Sequence, residues 1–439
     1  MDTGDTAWML MSTALVMVML PGLALFYGGL VRRKNVLSTT MHSFFGLALV
    51  SVVWVIVGFT LAFGPDVNGL GLIGGLDFAF FNGVGQSPSA VYAVTIPFML
   101  FAMFQLMFAA ITPALITGAF AERKRFGSFV LFTILWSILI YSPIAHWVWS
   151  TGGWLFKLGA LDFAGGTVVH ISSGVSALVV ALMIGRRNMN GDSKEPHDVP
   201  MVVLGAGLLW FGWFGFNAGS AIAAGTTAAT VWVNTMVATG AASLGWLITE
   251  RIRDGHATSL GAASGVVAGL VAITPSCSSV SPVGAIIVGA LAGVICALAI
   301  GLKYKFGFDD SLDVVGVHLF GGLWGTLAVG FLATEAAPAG VNGLLYGGGF
   351  DQLWRQAVGA FSVLFYSLIM SLLIGLLLHK TIGFRVTEEE ERTGVDEVEH
   401  AETGYDLGTL GAGVRGMSYA GSTPAQVEED SKNDQEVSA

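Results

Sequence analysis

The sequence contains little charge and almost no cysteine. Only 11% of its 439 residues are charged and 54% are hydrophobic, whereas soluble domains carry about 25% charged residues. This composition excludes an ordinary soluble domain. It predicts an all-α polytopic membrane protein, because helices satisfy their own backbone hydrogen bonds in lipid. The two cysteines, Cys277 and Cys296, are too few for a disulfide framework, and their spacing matches no metal site.

Two patterns that would indicate an intramembrane hydrolase are also absent. The chain contains neither the HExxH pattern of zinc proteases nor the GxSG pattern of rhomboid-type serine proteases. We therefore expect no enzymatic activity, no metal and no cofactor, and no nucleic-acid partner. The N-terminus lacks the basic region of a signal peptide, so we expect the first helix to be retained.

The net charge of −10 belongs to the C-terminal segment. Residues 385–439 contain 14 acidic and 4 basic residues, so the rest of the chain carries no net charge. We therefore divide the chain into a transmembrane domain, residues 1–384, and an acidic cytoplasmic tail, residues 385–439. The run Glu388-Glu389-Glu390-Glu391-Arg392 is compatible with a helix. From about residue 407 the Gly, Ser and acidic content predicts disorder.

Eleven apolar stretches are long enough to span a bilayer, which requires about 20 residues per helix. If consecutive helices alternate in direction, almost all basic residues between them fall on one side, and only Lys157 and Arg355 fall on the other. The positive-inside rule then places the N-terminus outside and the C-terminus in the cytoplasm of a multi-pass plasma-membrane protein. The predicted spans are residues 8–31, 41–63, 91–120, 127–150, 166–185, 200–220, 226–249, 258–276, 283–302, 314–334 and 354–379.

One pattern of ionisable residues occurs in each half of the chain. Asp162 precedes His170 by eight residues at the start of the fifth helix, and Asp310 precedes His318 by eight at the start of the tenth. If these helices run in opposite directions, a rise of about 1.5 Å per residue brings both histidines near the bilayer midplane. We therefore predict an inverted repeat of helices 1–5 and 6–10, with a site at their interface.

The alternative is a purely structural role, in which two unrelated histidines make helix–helix hydrogen bonds. Ionisable groups are costly in lipid, so the matched spacing favours a functional pair. For the two aspartates, the simpler role is to cap free N–H groups at the helix starts. Asp162 would in addition set the electrostatic field at the outer mouth.

A histidine pair in an apolar conduit suits a solute that can change its charge. An ion that stays charged would lose its hydration shell, which costs on the order of tens of kcal/mol. Imidazoles exchange protons near neutral pH, so the pair indicates a solute that is charged in water and crosses as a neutral molecule. Ammonium and ammonia are such a pair. The aromatic segments 104–108, 147–149 and 213–220 would attract a cation, although an interfacial aromatic belt explains them equally well.

Four segments resemble the ammonium transporter, methylammonium permease and Rhesus family. They are residues 118–123, 162–170, 213–220 and 310–318, and the resemblance covers about residues 5–406. Bacterial and archaeal ammonium transporters are more similar than Rhesus proteins, which lack the outer tryptophan and serine that Trp149 and Ser220 supply. The resemblance implies eleven helices, a homotrimer with one pore per subunit, and uptake of ammonium, with methylammonium as an analogue.

The resemblance also implies a role for each pore residue, from the outer mouth inward. These are an outer recruitment site (Phe108, Trp149, Ser220), a phenylalanine gate (Phe108, Phe216), a pore lining (His170, His318, Trp213) and three structural or electrostatic carboxylates (Asp162, Asp310, Asp313).

The tail segment 383–406 is similar to the part of these proteins that couples subunits and meets PII-type nitrogen regulators. The length of the tail leaves a second hypothesis open, an ammonium sensor that signals through the tail and transports little. Within transport, the nearest alternative is a gas channel of the Rhesus type.

Overall fold

The computed structural model describes residues 1–189 and 195–405. Within them, ten helices are long and apolar enough to cross a membrane, and an eleventh, Ser259–Ile273, is shorter. The prediction of an all-α membrane protein with about eleven helices is confirmed. The helices are α1 (Thr3–Leu30), α2 (Arg33–Phe63), α3 (Phe98–Phe120), α4 (Phe126–Leu158), α5 (Gly166–Ile184), α6 (Val199–Ala221), α7 (Thr226–Asp254), α8 (Ser259–Ile273), α9 (Pro282–Phe306), α10 (Val315–Leu332) and α11 (Asp351–Thr381).

The predicted start of the third helix, at residue 91, is wrong. Residues Ala93–Pro97 form a short strand, β2, which pairs antiparallel with β1 (Pro88–Ser89) in the loop between α2 and α3. The helix begins only at Phe98, directly after Pro97. The apolar side chains of β2 therefore extend the hydrophobic run without extending the helix.

The predicted start of the second helix, at residue 41, is also wrong, because α2 begins eight residues earlier. A 3-10 turn at Arg33–Asn35 leads directly into the α-helix at Val36. The carboxylate of Asp396 accepts the N–H groups of Leu37 and Ser38 at 2.9 and 2.7 Å. A side chain from the far end of the chain thus satisfies free donors at the start of this helix.

The helices that carry the Asp–His pattern cross in close contact. A Cβ atom on Gly174 of α5 would lie 2.4 Å from the backbone nitrogen of Leu319 in α10, so only glycine permits this approach. Both helices begin with a turn of π-helix, Gly166–Ile171 and Val315–Leu319, and each turn contains the histidine. Such turns are rare and occur often at functional sites. The two halves therefore repeat a local structure as well as a sequence spacing.

The C-terminal segment folds back on one end of the bundle, which we call the tail side; the opposite end, with residues 64–97, is the loop side. The acidic run forms the short helix α12 (Glu388–Thr393), and α13 (Val395–His400) follows. Glu391 accepts the N–H of Asn188 at 2.6 Å, so the tail contacts the chain between α5 and α6. The disorder predicted from about residue 407 lies outside the described residues.

Candidate functional site

His170 and His318 contact each other in the interior of the bundle. Their Nδ1 atoms are 3.2 Å apart, and the side chains are 0% and 3% exposed. At this distance one Nδ1 donates and the other accepts, so a single proton occupies the contact. The Nε2 atom of His170 has no hydrogen-bond partner within residues 1–189 and 195–405. The pair therefore presents one buried nitrogen that a solute can bind.

The start of α5 is held by the carboxylate of Asp162. It accepts the N–H groups of Gly165, Gly166 and Thr167 at 2.8, 2.6 and 2.7 Å, and also the hydroxyl of Thr167. Gly165 has a φ of 118°, in a region that is open mainly to glycine. This cap fixes the first turn of α5 and thereby the position of His170.

The start of α10 is held more loosely by Asp310. Its Oδ2 atom accepts the N–H of Val315 at 2.7 Å, whereas Oδ1 has no hydrogen-bond partner in the described part of the chain. Asp313 lies nearby and pairs with Lys303 at 2.6 Å. Burial, and then the charge of Asp313, raise the pKa of Asp310 to about 7, against the opposing effects of Lys303 and the Val315 N–H.

Trp213 packs beside the histidine pair. Its ring is stacked on that of His170, with centroids 5.5 Å apart and planes inclined by 17°. The indole Nε1 donates to the hydroxyl of Thr274 at 2.9 Å, which fixes the ring and leaves only its apolar face against the imidazole. Sequence reasoning did not identify Thr274, because nothing in the order of residues links it to Trp213.

Phe108 and Phe216 form a stacked pair on the loop side of the histidines. Their ring centroids are 4.2 Å apart with planes inclined by 28°, and both side chains are buried. The ring of Phe216 lies 6.3 Å from that of His170. The two phenyl rings therefore separate the histidine pair from the loop-side surface.

A cavity of about 240 Å³ opens above this stack, and we call it the loop-side cavity. It is lined by Phe108, Trp149 and Ser220, among others. The Trp149 Nε1 donates to the backbone oxygen of Asp162 at 2.9 Å, and the Ser220 hydroxyl donates to the oxygen of Phe216 at 2.8 Å. Because their protons are already used, Trp149 presents a π face to the cavity and Ser220 an accepting oxygen.

A larger cavity of about 430 Å³, the tail-side cavity, lies on the other side of the histidines. His318 is part of its wall, together with Lys303, Asp309 and Asp313. The structure thus brings the predicted pore residues into one series. In order these are the loop-side cavity, the Phe108–Phe216 stack, His170, His318 and the tail-side cavity.

A group of charges near the tail side was not identified from the sequence. Glu122 accepts hydrogen bonds from Arg32 Nε, Asn35 Nδ2 and Arg187 Nη1 at 3.1, 3.2 and 3.1 Å. Burial opposes ionisation of this carboxyl, but the charges of Arg187 and Arg32 outweigh it and lower the pKa of Glu122. The group joins the ends of α1, α3 and α5. The only sign of this group in the sequence is the carboxylate of Glu122 beside Arg123 in the segment 118–123.

A multi-pass helical bundle that buries a histidine pair between two cavities is typical of membrane transport proteins. Within that class the chain belongs to the ammonium transporter family, because the Ammonium Transporter Family profile matches residues 7–405. The family predicted from the sequence is therefore confirmed.

Individual proteins agree with this assignment. An ammonium transporter of Mycobacterium tuberculosis is 53% identical, with 98% of this chain and 95% of the relative covered. The crystal structure of Saccharomyces cerevisiae Mep2 matches with a TM-score of 0.82 at 36% identity, covering 89% of this chain and 88% of the other. The structure of a protein described as "Sensor Amt Protein" matches with a TM-score of 0.82 at 33% identity, covering 90% and 98%.

Proposed function

We propose that this protein takes up ammonium across the plasma membrane by deprotonating it at the His170–His318 pair. The loop side faces outside, and the tail lies in the cytoplasm. The observation that carries the proposal is the buried Nδ1–Nδ1 contact of 3.2 Å, located between a phenylalanine stack and the tail-side cavity. A charged solute cannot remain solvated there, whereas a neutral one can pass.

The loop-side cavity recruits the cation before it loses a proton. The faces of Trp149 and Phe108 attract a cation by about 0.5–2 kcal/mol, and the Ser220 oxygen accepts one N–H. Cation–π attraction does not distinguish ammonium from potassium, because both carry one positive charge. Selection therefore depends on N–H hydrogen bonds and on the ability of ammonium to give up a proton.

The histidine pair then receives the dehydrated solute. His170 Nε2, which has no partner in the described chain, accepts a hydrogen bond from the incoming nitrogen. Since the Nδ1 contact holds one proton, a proton accepted at one imidazole can be relayed to the other. The relayed proton leaves the His318 imidazole to water in the tail-side cavity, and ammonia, which passes into the same cavity, regains a proton there.

The test replaces each histidine separately in protein reconstituted into liposomes. We expect His170→Ala and His318→Ala either to reduce ammonium flux at least about tenfold or to admit potassium. The matched control is His379→Ala, because His379 is exposed near the end of α11. Unchanged ammonium flux and unchanged exclusion of potassium in both pore variants would contradict the mechanism.

The assembly we propose is a homotrimer with one pore per subunit in a lipid bilayer. Large apolar side chains on α6 and α7, including Phe211, Trp232 and Met236, are exposed on the single chain and require a covering of lipid or of other subunits. Light scattering of the detergent-solubilised protein should give three chains per particle. A particle of one chain would contradict the trimer and leave the pore mechanism standing.

A second candidate function is ammonium sensing through the tail. It is favoured by the contacts of residues 385–405 with the bundle, such as those of Asp396 and Glu391, and by the similarity to a protein described as a sensor. We propose residues 385–439 as a regulatory unit, separate from a transport unit of residues 1–384, that meets a PII-type protein. Deleting residues 385–439 distinguishes the functions, because a sensor loses signalling whereas a transporter retains ammonium flux.

A further inference from the structure

The side chain of Gln105 has an unsatisfied oxygen in the wall of the loop-side cavity. Gln105 is only 8% exposed and belongs to the lining of this cavity. Its Oε1 atom is buried and has no hydrogen-bond partner among residues 1–189 and 195–405. A buried acceptor without a donor is unfavourable. Because the side chain of Gln105 lines the cavity, a rotation of its amide brings this oxygen to the cavity surface, where a ligand can supply the missing donor.

The position of Gln105 on α3 places it directly above the phenylalanine stack. Gln105 precedes Phe108 by three residues, and residues three apart on a helix lie on the same face. The rise of an α-helix separates them by about 4.5 Å along the axis. Since α3 begins on the loop side, Gln105 lies closer to the mouth and Phe108 deeper. Trp149 and Ser220 line the same cavity.

The other residues named in the cavity wall provide few hydrogen-bond acceptors for ammonium. Ammonium has four N–H groups that need acceptors. The rings of Trp149 and Phe108 offer it only their π faces, and the Trp149 N–H is a donor already bound to Asp162. Ser220 supplies one accepting oxygen. A second acceptor at Gln105, on α3, would bind another N–H, and hydrogen bonds to charged groups are stronger than those between neutral groups.

We propose that Gln105 is a fourth ligand of the recruitment site, whose amide oxygen accepts an N–H of ammonium before the cation passes the phenylalanine stack. The inference rests on the proposed function of the loop-side cavity. It concerns binding and not proton loss, because Gln105 lies above the stack and does not contact the histidines.

The test compares Gln105→Met with the native protein in ammonium-driven flux across liposomes. Methionine keeps the length of the side chain and removes the oxygen. We expect the half-saturating ammonium concentration to rise about tenfold, equivalent to about 1.4 kcal/mol, while maximal flux stays within about twofold. The control is Met103→Leu, on the same helix but 37% exposed on the bundle surface, which should change neither quantity.

A second variant keeps the test decisive if Gln105→Met does not fold. Gln105→Glu retains an oxygen acceptor and adds charge, so it should lower the half-saturating ammonium concentration. An unchanged half-saturation in either folded variant overturns the inference, as does a loss of maximal flux at unchanged half-saturation. If the native protein moves no ammonium, the proposed function fails; if it does and Gln105 variants match it, only this inference fails.

Discussion

The two Asp–His segments have the same spacing, yet their aspartates are held differently. The carboxylate of Asp162 is saturated with donors, which are the N–H groups of Gly165, Gly166, Thr167 and Val168 and the hydroxyl of Thr167. The carboxyl of Asp310 accepts the N–H of Val315 through one oxygen, and its other oxygen is unpartnered in the chain as described. The two segments therefore share an aspartate at the helix start, but the hydrogen bonding of its carboxyl group differs.

The two aspartates therefore differ in their physical roles at the starts of α5 and α10. The carboxylate of Asp162 is held in place by five donors, and the backbone oxygen of the same residue accepts the Trp149 N–H on the loop side. A buried carboxyl with a pKa raised to about 7 by burial and by Asp313 changes its protonation near neutral pH. The start of α5 is thus held by a saturated carboxylate, whereas the carboxyl at the start of α10 has a pKa near neutral pH.

The largest effect should follow the removal of the saturated carboxylate. Asp162→Ala leaves several buried N–H groups without an acceptor, and each such group costs about 1–3 kcal/mol. We expect a large fall in thermal stability in detergent and more than a tenfold loss of ammonium flux, whereas Asp310→Ala at pH 7 should lose much less of both. Asp162→Asn, which retains one accepting oxygen, should lie between. Equal losses of stability and flux in Asp162→Ala and Asp310→Ala would contradict the conclusion that the two carboxyl groups differ in importance.

A smaller effect should appear in the dependence of stability on pH. A carboxyl whose pKa is higher in the folded than in the unfolded state stabilises the folded protein while it is protonated. This contribution is complete below the unfolded pKa, about 3.9, and is lost as the pH rises through the folded value. The native protein should therefore lose stability from about pH 4 to about pH 7, by at most about 1.4 kcal/mol per pH unit from this group, and the loss should level off above pH 7.

Asp310→Asn isolates that contribution, because it removes the titration and keeps the shape. Denaturation midpoints measured at pH 5, 6, 7 and 8 should fall less steeply for the variant than for the native protein. Other groups titrate equally in both proteins, so only the difference between the two curves is interpreted. Parallel curves would show that the raised pKa of Asp310 does not affect folding.

The fold followed closely from hydropathy and spacing, because lipid leaves helices as the main choice for each apolar run. The errors at residues 41 and 91 have local physical causes. The start of α2 depends on Asp396, which is distant in the sequence, and the residues before α3 pair as a strand. Hydropathy reports neither a cap from another part of the chain nor the choice between strand and helix within an apolar run.

The site was predictable to the level of residue type and spacing but not of environment. The interval of eight residues was sufficient to select His170 and His318. It could not show that Asp162 is saturated and Asp310 is not, since that depends on Lys303 and Asp313. Gln105 stood in a segment of aromatic residues without a sign of its role, because a missing hydrogen-bond partner is visible only in three dimensions.

The smallest effect should come from replacing Asp313, whose charge helps to raise the pKa of Asp310. Its φ of 63° lies in the left-handed region, which asparagine adopts as readily as aspartate, and its ion pair with Lys303 is partly exposed, with side chains 33% and 12% accessible. Such pairs contribute about 0–1 kcal/mol. Asp313→Asn should therefore leave stability at pH 5 almost unchanged.

The same variant should nevertheless move the pH response of Asp310. Without the charge of Asp313 the pKa of Asp310 falls, so the loss of stability on raising the pH should level off at a lower pH and be smaller in total than in the native protein. Asp313→Ala is the control for backbone strain, because alanine adopts a positive φ at a cost of about 1–3 kcal/mol at every pH. A pH response that stays in place in Asp313→Asn would attribute the raised pKa to burial alone.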